Sequence, residues 1–189
     1  MSRPLLAALA VSLSLASPAF AQSQSDSSVP TIPESQIAPR TVATTYEFVA
    51  TASSGNAFEI EAATLALQKA QAPEVKALAQ KMLDDHTAAQ VELLAVGKTA
   101  NTDIAKPAPD GEQQGLLDKL GAADPAAFDA AYVDSQVFAH QRALALFKGY
   151  AEGSEPLNQY AAKTLPTLQM HYAMVLDLAA KLPGEAAVQ

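Results

Sequence analysis

His86, His140 and His171 are the only histidines in the 189-residue chain, and each is flanked at helical spacing by apolar residues. A neutral imidazole nitrogen is a ligand for Zn, Cu, Mn or Fe, so three rings brought to one place make a metal site. Glu59 and Glu61 fall near the same level of the periodic pattern, and Asp85 adjoins His86. The expected ligand set for one divalent or copper ion is therefore His86, His140 and His171, with Glu59 or Asp85 added as a ligand or as a hydrogen-bond partner of one. A lone histidine on an apolar helix face is more often a core residue whose nitrogens find hydrogen bonds. A buried histidine–carboxylate network that fixes packing without any ion is thus the competing expectation.

Several chemistries are excluded by what the chain lacks. A carboxylate-bridged di-iron centre needs Glu-x-x-His on two helices. Here the residues three before the histidines are Leu83, Val137 and Leu168, so ferroxidase-type chemistry is not expected. There is no cysteine, which removes disulfides, thiolate nucleophiles and Cys-type zinc or iron–sulfur sites. Nor is there a nucleophile elbow, a phosphate loop or an HExxH sequence. Met82, Met170 and Met174 offer thioethers for Cu(I), although methionine more often fills core gaps. With 20 acidic against 12 basic residues and no basic cluster, nucleic acid is not an expected partner.

The elements that must position the histidines are helices. Roughly a fifth of the residues are alanine, the best helix former and small enough to let helices approach closely. Apolar residues recur at helical spacing from Thr41 onward, with no run of two-residue alternation, which excludes an outer-membrane barrel. A first helix starts at the capping box Thr44-x-x-Glu47 and runs to about Ala70, with Ser53-Ser54-Gly55-Asn56 as a point where it bends or divides. A second begins at Pro73 and reaches about Lys98, carrying His86 near its middle. The third follows Asp124-Pro125 and carries His140; the fourth follows Glu155-Pro156, carries His171 and ends at Pro183-Gly184. Pro166 lies inside the fourth helix, where a kink that frees the Ala162 carbonyl is expected.

Short links join the first pair of helices and the last pair, whereas Thr99 to Ala123 separates the pairs with one short helical candidate at Glu112 to Leu120. About 25 residues can run the length of a bundle. The expected fold is all-α, a ferritin-like four-helix bundle with a long crossover between helices 2 and 3, and an up-down-up-down bundle is the alternative.

Met1 to Ala21 has Arg3, an apolar stretch from Leu5 to Leu15 and a small-x-small ending, the pattern of a secretory leader cleaved near Ala21. No stretch is long and charge-free enough for a transmembrane segment, so a soluble periplasmic or secreted protein is expected. Residues 22–41, rich in Ser, Gln and Pro, are expected to form a disordered tether, 42–183 the bundle and 184–189 a C-terminal tail.

The stretch Phe48-Val49-Ala50 to Glu59-Ile60-Glu61, then Pro73-Glu74-Val75-Lys76, Ala79-Gln80-Lys81-Met82 and Asp85-His86, resembles the bacterial exported family catalogued as domain of unknown function 4142. Phe128 to Val133, His140 and Thr164 to His171 extend the resemblance, in order, over about Thr45 to Leu182. The resemblance implies a ferritin-like bundle with Glu59, Asp85, His86, His140 and His171 at the family's polar motif positions. It implies no settled activity. Members are often labelled outer membrane proteins, a label for which this chain offers neither a spanning helix nor barrel strands. The functional expectation is an exported bundle holding one metal ion, against a non-enzymatic structural or stress-related envelope protein with an envelope protein as partner.

Overall fold

The computed structural model describes residues 29–104 and 106–182. Their elements are a short 3-10 turn (Glu34–Gln36) and the helices α1 (Thr45–Lys69), α2 (Pro73–Thr99), α3 (Gly111–Ala122), α4 (Pro125–Tyr150) and α5 (Pro156–Ala179). The leader expected over Met1–Ala21 and the tail expected over 184–189 lie outside the described residues.

Local chemistry fixes where these helices start. Thr44 Oγ1 accepts the Glu47 N–H at 3.0 Å, as the capping-box pattern predicts, while the Glu47 carboxylate reaches back to the Ala43 N–H at 2.9 Å rather than to Thr44 itself. Asp110 and Gln113 make the full reciprocal box at the start of α3. Proline occupies the first turn of α2, α4 and α5, where a missing N–H removes no helical hydrogen bond. The start of α2 has no side-chain cap of its own; Asp129 of α4 accepts the N–H groups of Gln71 and Ala72 at 3.0 and 2.8 Å. A tertiary contact thus tightens the α1–α2 turn.

Residue pairings give the topology. Val49 faces Gly97, Ser53 meets Gln90 and Asn56 meets His86, so α1 and α2 are antiparallel. Thr45 pairs with Tyr150 and Glu59 with Gln136, which sets α1 antiparallel to α4. Asp85 meets His171 while Glu92 meets Lys163, so α2 is antiparallel to α5. Phe147 packs on Tyr160 and Gln141 on Tyr172, making α4 and α5 the other antiparallel pair. It follows that α2 and α4 run parallel on a diagonal. The chain must travel back along the bundle between them, which is the expected ferritin-like crossover, and α3 is the part of it that packs on α1 and α4.

Small side chains let the helices close up: Ala62, Ala63, Ala66, Ala79 and Ala161 are wholly buried. Phe48 stacks on Tyr150 at 3.9 Å and meets Phe147 edge-on at 5.3 Å, filling one end of the bundle. Between such apolar layers the histidines occupy the middle.

Two expectations require correction. The suspected break at Ser53–Asn56 does not occur, and α1 is continuous through it. Ser53 and Asn56 are buried and bonded to Gln90 and His86 of α2, so tertiary hydrogen bonds override their weak helix propensity. The second concerns the tether expected over 22–41. Residues 29–41 instead form a strap along α4 and α5, with Ile37 buried, Glu34 ion-paired to Lys148 at 2.6 Å, and the Ile32 carbonyl accepting the Tyr172 hydroxyl at 2.7 Å. The folded unit therefore begins well before residue 42. Its aliphatic residues are too few to make a core alone and are buried only because the helices supply a groove.

The strap crosses α4 at Gly149, where a Cβ would fall on the Arg40 carbonyl. Gly149→Ala is therefore expected to destabilise the protein by about 1–3 kcal/mol and to accelerate tryptic cleavage after Arg40. Unchanged melting and proteolysis would show the strap to be dispensable.

Candidate metal centre

The mid-bundle layer is built by four helices. His86 comes from α2, His140 from α4 and His171 from α5, while α1 contributes Asn56 and Glu59. Each lies on the buried face of its helix, with His140 and His171 only 1% exposed and His86 6%. The ring centroids are 5.5, 5.6 and 5.8 Å apart, a nearly equilateral triangle. One ring nitrogen from each histidine lies within 4.8 Å of the other two.

Every ring has one nitrogen anchored. His86 Nδ1 is 2.9 Å from Asn56 Oδ1, His140 Nδ1 is 3.0 Å from the Gln136 carbonyl, and His171 Nε2 is 2.6 Å from the Asp85 carboxylate. These partners are acceptors, so each anchored nitrogen carries the proton and donates it. The remaining nitrogens, His86 Nε2, His140 Nε2 and His171 Nδ1, then hold lone pairs, and all three are buried without a hydrogen-bond partner. Leaving a buried polar atom unsatisfied costs about 1–3 kcal/mol. Three such atoms concentrated in one layer could all be satisfied by one ion held among the rings.

The protonation states suit a cation. Burial lowers all three histidines below their ordinary value, His140 to about 3, and for His86 repulsion from the other two rings adds to burial. All three are therefore neutral at pH 7. For Asp85, burial pushes upward, but hydrogen bonds from Lys81 and His171 outweigh it and hold the carboxyl below its usual value. Its ionised oxygen lies 2.9 Å from Lys81 Nζ and fixes the tautomer of His171. Glu59 is the opposite case, since burial pushes it up to about 8 against the Gln136 amide that donates to it at 2.7 Å. Its other oxygen lies 3.5 Å from His140 Nδ1; the shorter contact, to the Gln136 carbonyl, takes that proton.

All five expected site residues thus fall in one layer, but not in one role. The histidines form the inner triangle, whereas Glu59 and Asp85 stand behind His140 and His171. Glu61 faces solvent on α1, and Met170 and Met174 lie on the exposed face of α5, leaving Met82 as a core residue. Asn56, Gln136 and Tyr132 were not among the expected residues. Tyr132 is wholly buried, its hydroxyl lacks a partner, and burial together with the nearby Glu59 raises it well above its ordinary value. A signal for Asn56 did exist: it is three residues before Glu59 and so shares its helix face.

Chemically the arrangement resembles an ion's coordination set with its outer partners already in place, because ligating histidines usually donate their second nitrogen to a carboxylate, carbonyl or similar acceptor. A tetrahedral ion with bonds of about 2.0–2.1 Å would bring the nitrogens to about 3.4 Å apart, so the rings need to close by roughly 1 Å. With Glu59 still protonated near pH 7 and the three imidazoles neutral, Asp85 is the one negative group behind the rings, so a 2+ ion held there would keep a net positive charge.

A family model described as "Domain of unknown function (DUF4142)" matches residues 30–178. No curated protein and no solved structure matches the chain.

Proposed function

The chain belongs to the DUF4142 family, whose description attaches no activity, and from that premise we propose that it is a helical bundle holding one metal ion through His86 Nε2, His140 Nε2 and His171 Nδ1. The observation that carries this reading is the set of three buried, unpartnered imidazole nitrogens, each on a ring whose other nitrogen is anchored. Asn56, the Gln136 carbonyl and Asp85 orient the rings, Asp85 places a negative charge behind His171, and Glu59, neutral at pH 7, stands behind His140. Zn, Cu(II), Mn and Fe(II) all accept such a donor set, and without cysteine the site has no thiolate to favour softer ions.

A purely structural histidine–carboxylate network is the competing account. It explains the anchored nitrogens but leaves the inner three unsatisfied. No helix among the described residues is long and apolar enough to cross a membrane, and the leader pattern of Met1–Ala21 supports export.

The protein is expected to come from a periplasmic preparation with an N-terminus at Gln22 and about one equivalent of metal. After chelation it should take up one equivalent of Zn(II), Co(II) or Cu(II) by calorimetry. Absence of stoichiometric uptake with every ion tried sinks the reading. An N-terminus still at Met1 sinks export alone.

A further inference from the structure

The inner triangle is not sealed on all sides. A cleft between α1, α3 and α4 has His86, His140 and Glu59 at its buried end and Arg40 and Arg142 at its exposed end. Its room for water-sized occupants is about 40 Å³. A water needs about 10–15 Å³ on this measure, so the space suits two or three small groups and no organic substrate of ordinary size. Small side chains, among them Gly55 and Ala139, form part of its wall.

Gly55 is the telling residue. It sits in the interior of α1, where glycine costs about 1 kcal/mol relative to alanine, and its φ is not in the left-handed range that would require glycine. A Cβ built there meets nothing within 4 Å. No close backbone approach demands glycine at this position, and its missing side chain helps keep the cleft open. His171 does not line the cleft, so the opening reaches the triangle past two of its three corners. Three protein ligands also leave a tetrahedral ion one position short.

We propose that this cleft admits a small inorganic ligand of two or three atoms, anionic so as to offset the ion's charge, to the open coordination position of the metal. This rests on the His86–His140–His171 reading. Both arginines at the mouth are already paired, Arg142 with Asp110 and Glu112 at 3.0 Å each and Arg40 with Glu47 at 3.3 Å. The attraction for an anion therefore comes from the metal. Size is set by the walls, and Gln113 of α3, bonded to Ser54 at 2.7 Å, holds the cover over them.

The test uses Co(II)-loaded protein with azide as the small anion and imidazole as a larger competitor. Azide is expected to shift the visible bands of bound Co(II) saturably, and imidazole to leave them unchanged. Gly55→Leu fills the cleft without a backbone clash and should weaken azide binding at least tenfold while Co(II) stoichiometry stays at one; Gly55→Ala, which leaves most of the room, should bind azide nearly as wild type does. Ala139→Leu narrows the cleft from α4 and should repeat the Gly55→Leu result. Normal Co(II) uptake with no azide response, equal azide affinity in Gly55→Leu, or imidazole binding as readily as azide each overturns the pocket assignment alone. Failure to take up Co(II) overturns the metal reading, and the pocket falls with it.

Discussion

His140→Phe is expected to abolish stoichiometric metal binding while leaving a folded bundle. His140 is the most interior of the three rings in its hydrogen bonding, since its only anchor is the Gln136 carbonyl one turn earlier in the same helix. Phenylalanine fills the volume and offers no lone pair. Loss of a partner outside the coordination sphere typically costs roughly 10–100-fold in metal affinity, so losing one of three ligands should cost at least about 100-fold. Metal at 100 times its dissociation constant adds about 2.7 kcal/mol of stability, which for a domain of this size raises the melting temperature by about 5–10 °C. Wild type should show that rise with added metal, and His140→Phe should not. The metal-free variant should melt close to the metal-free wild type, because losing the hydrogen bond from His140 Nδ1 to the Gln136 carbonyl is offset by removing the buried, unsatisfied Nε2. His140→Ala lacks that compensation and should lose stability with or without metal. Equal metal-induced shifts in wild type and His140→Phe would show that this ring is no ligand.

Metal-free protein is expected to be most stable near pH 6.5 and to lose stability on both sides. On the alkaline side the group responsible is Glu59, which burial raises from 4.5 to about 8. Between those values the native state keeps a proton that the unfolded state has released, so stability falls as pH rises, by at most about 1.4 kcal/mol per pH unit. On the acid side the histidines act in the opposite sense. Their native values lie below 6.5, so once pH drops through 6.5 the unfolded chain gains protons that the native rings refuse. Stability then falls as pH falls, continuing towards about 3 for His140. In the range where both effects operate the three histidines outnumber the one glutamate, which places the maximum where histidine titration in the unfolded state begins. Urea unfolding in EDTA from pH 5 to 9 reads the profile directly. Glu59→Gln should flatten the limb from 6.5 to 8 and spare the acid limb. A wild-type profile that rises between pH 7 and 8, or an alkaline limb unchanged in Glu59→Gln, would refute the assignment of that proton to Glu59.

Much of the bundle is legible locally. Thr44, Pro73, Pro125 and Pro156 mark helix starts because capping and the first-turn tolerance of proline depend on near neighbours alone. The length of the link after α2 predicts a crossover for an equally simple reason, the distance that chain must span. Ser53 and Asn56 mislead because propensity measures what an isolated helix prefers. Their satisfaction comes from Gln90 and His86 on another helix. The strap is hidden for a similar reason: Ile32 and Ile37 are isolated aliphatics in a polar stretch, and the groove that receives them exists only after α4 and α5 have packed.

For the site, helical periodicity determined which residues share a depth, since a spacing of 3.6 fixes the face of each helix without reference to any other. That suffices to bring out His86, His140, His171, Glu59 and Asp85 together. It does not assign their roles. Which nitrogen of each ring is anchored depends on partners supplied from 30 residues away for His86 and 86 residues away for His171. Only the assembled bundle decides which nitrogen of each ring is left without a partner, because a hydrogen-bond inventory closes in three dimensions and not along the chain.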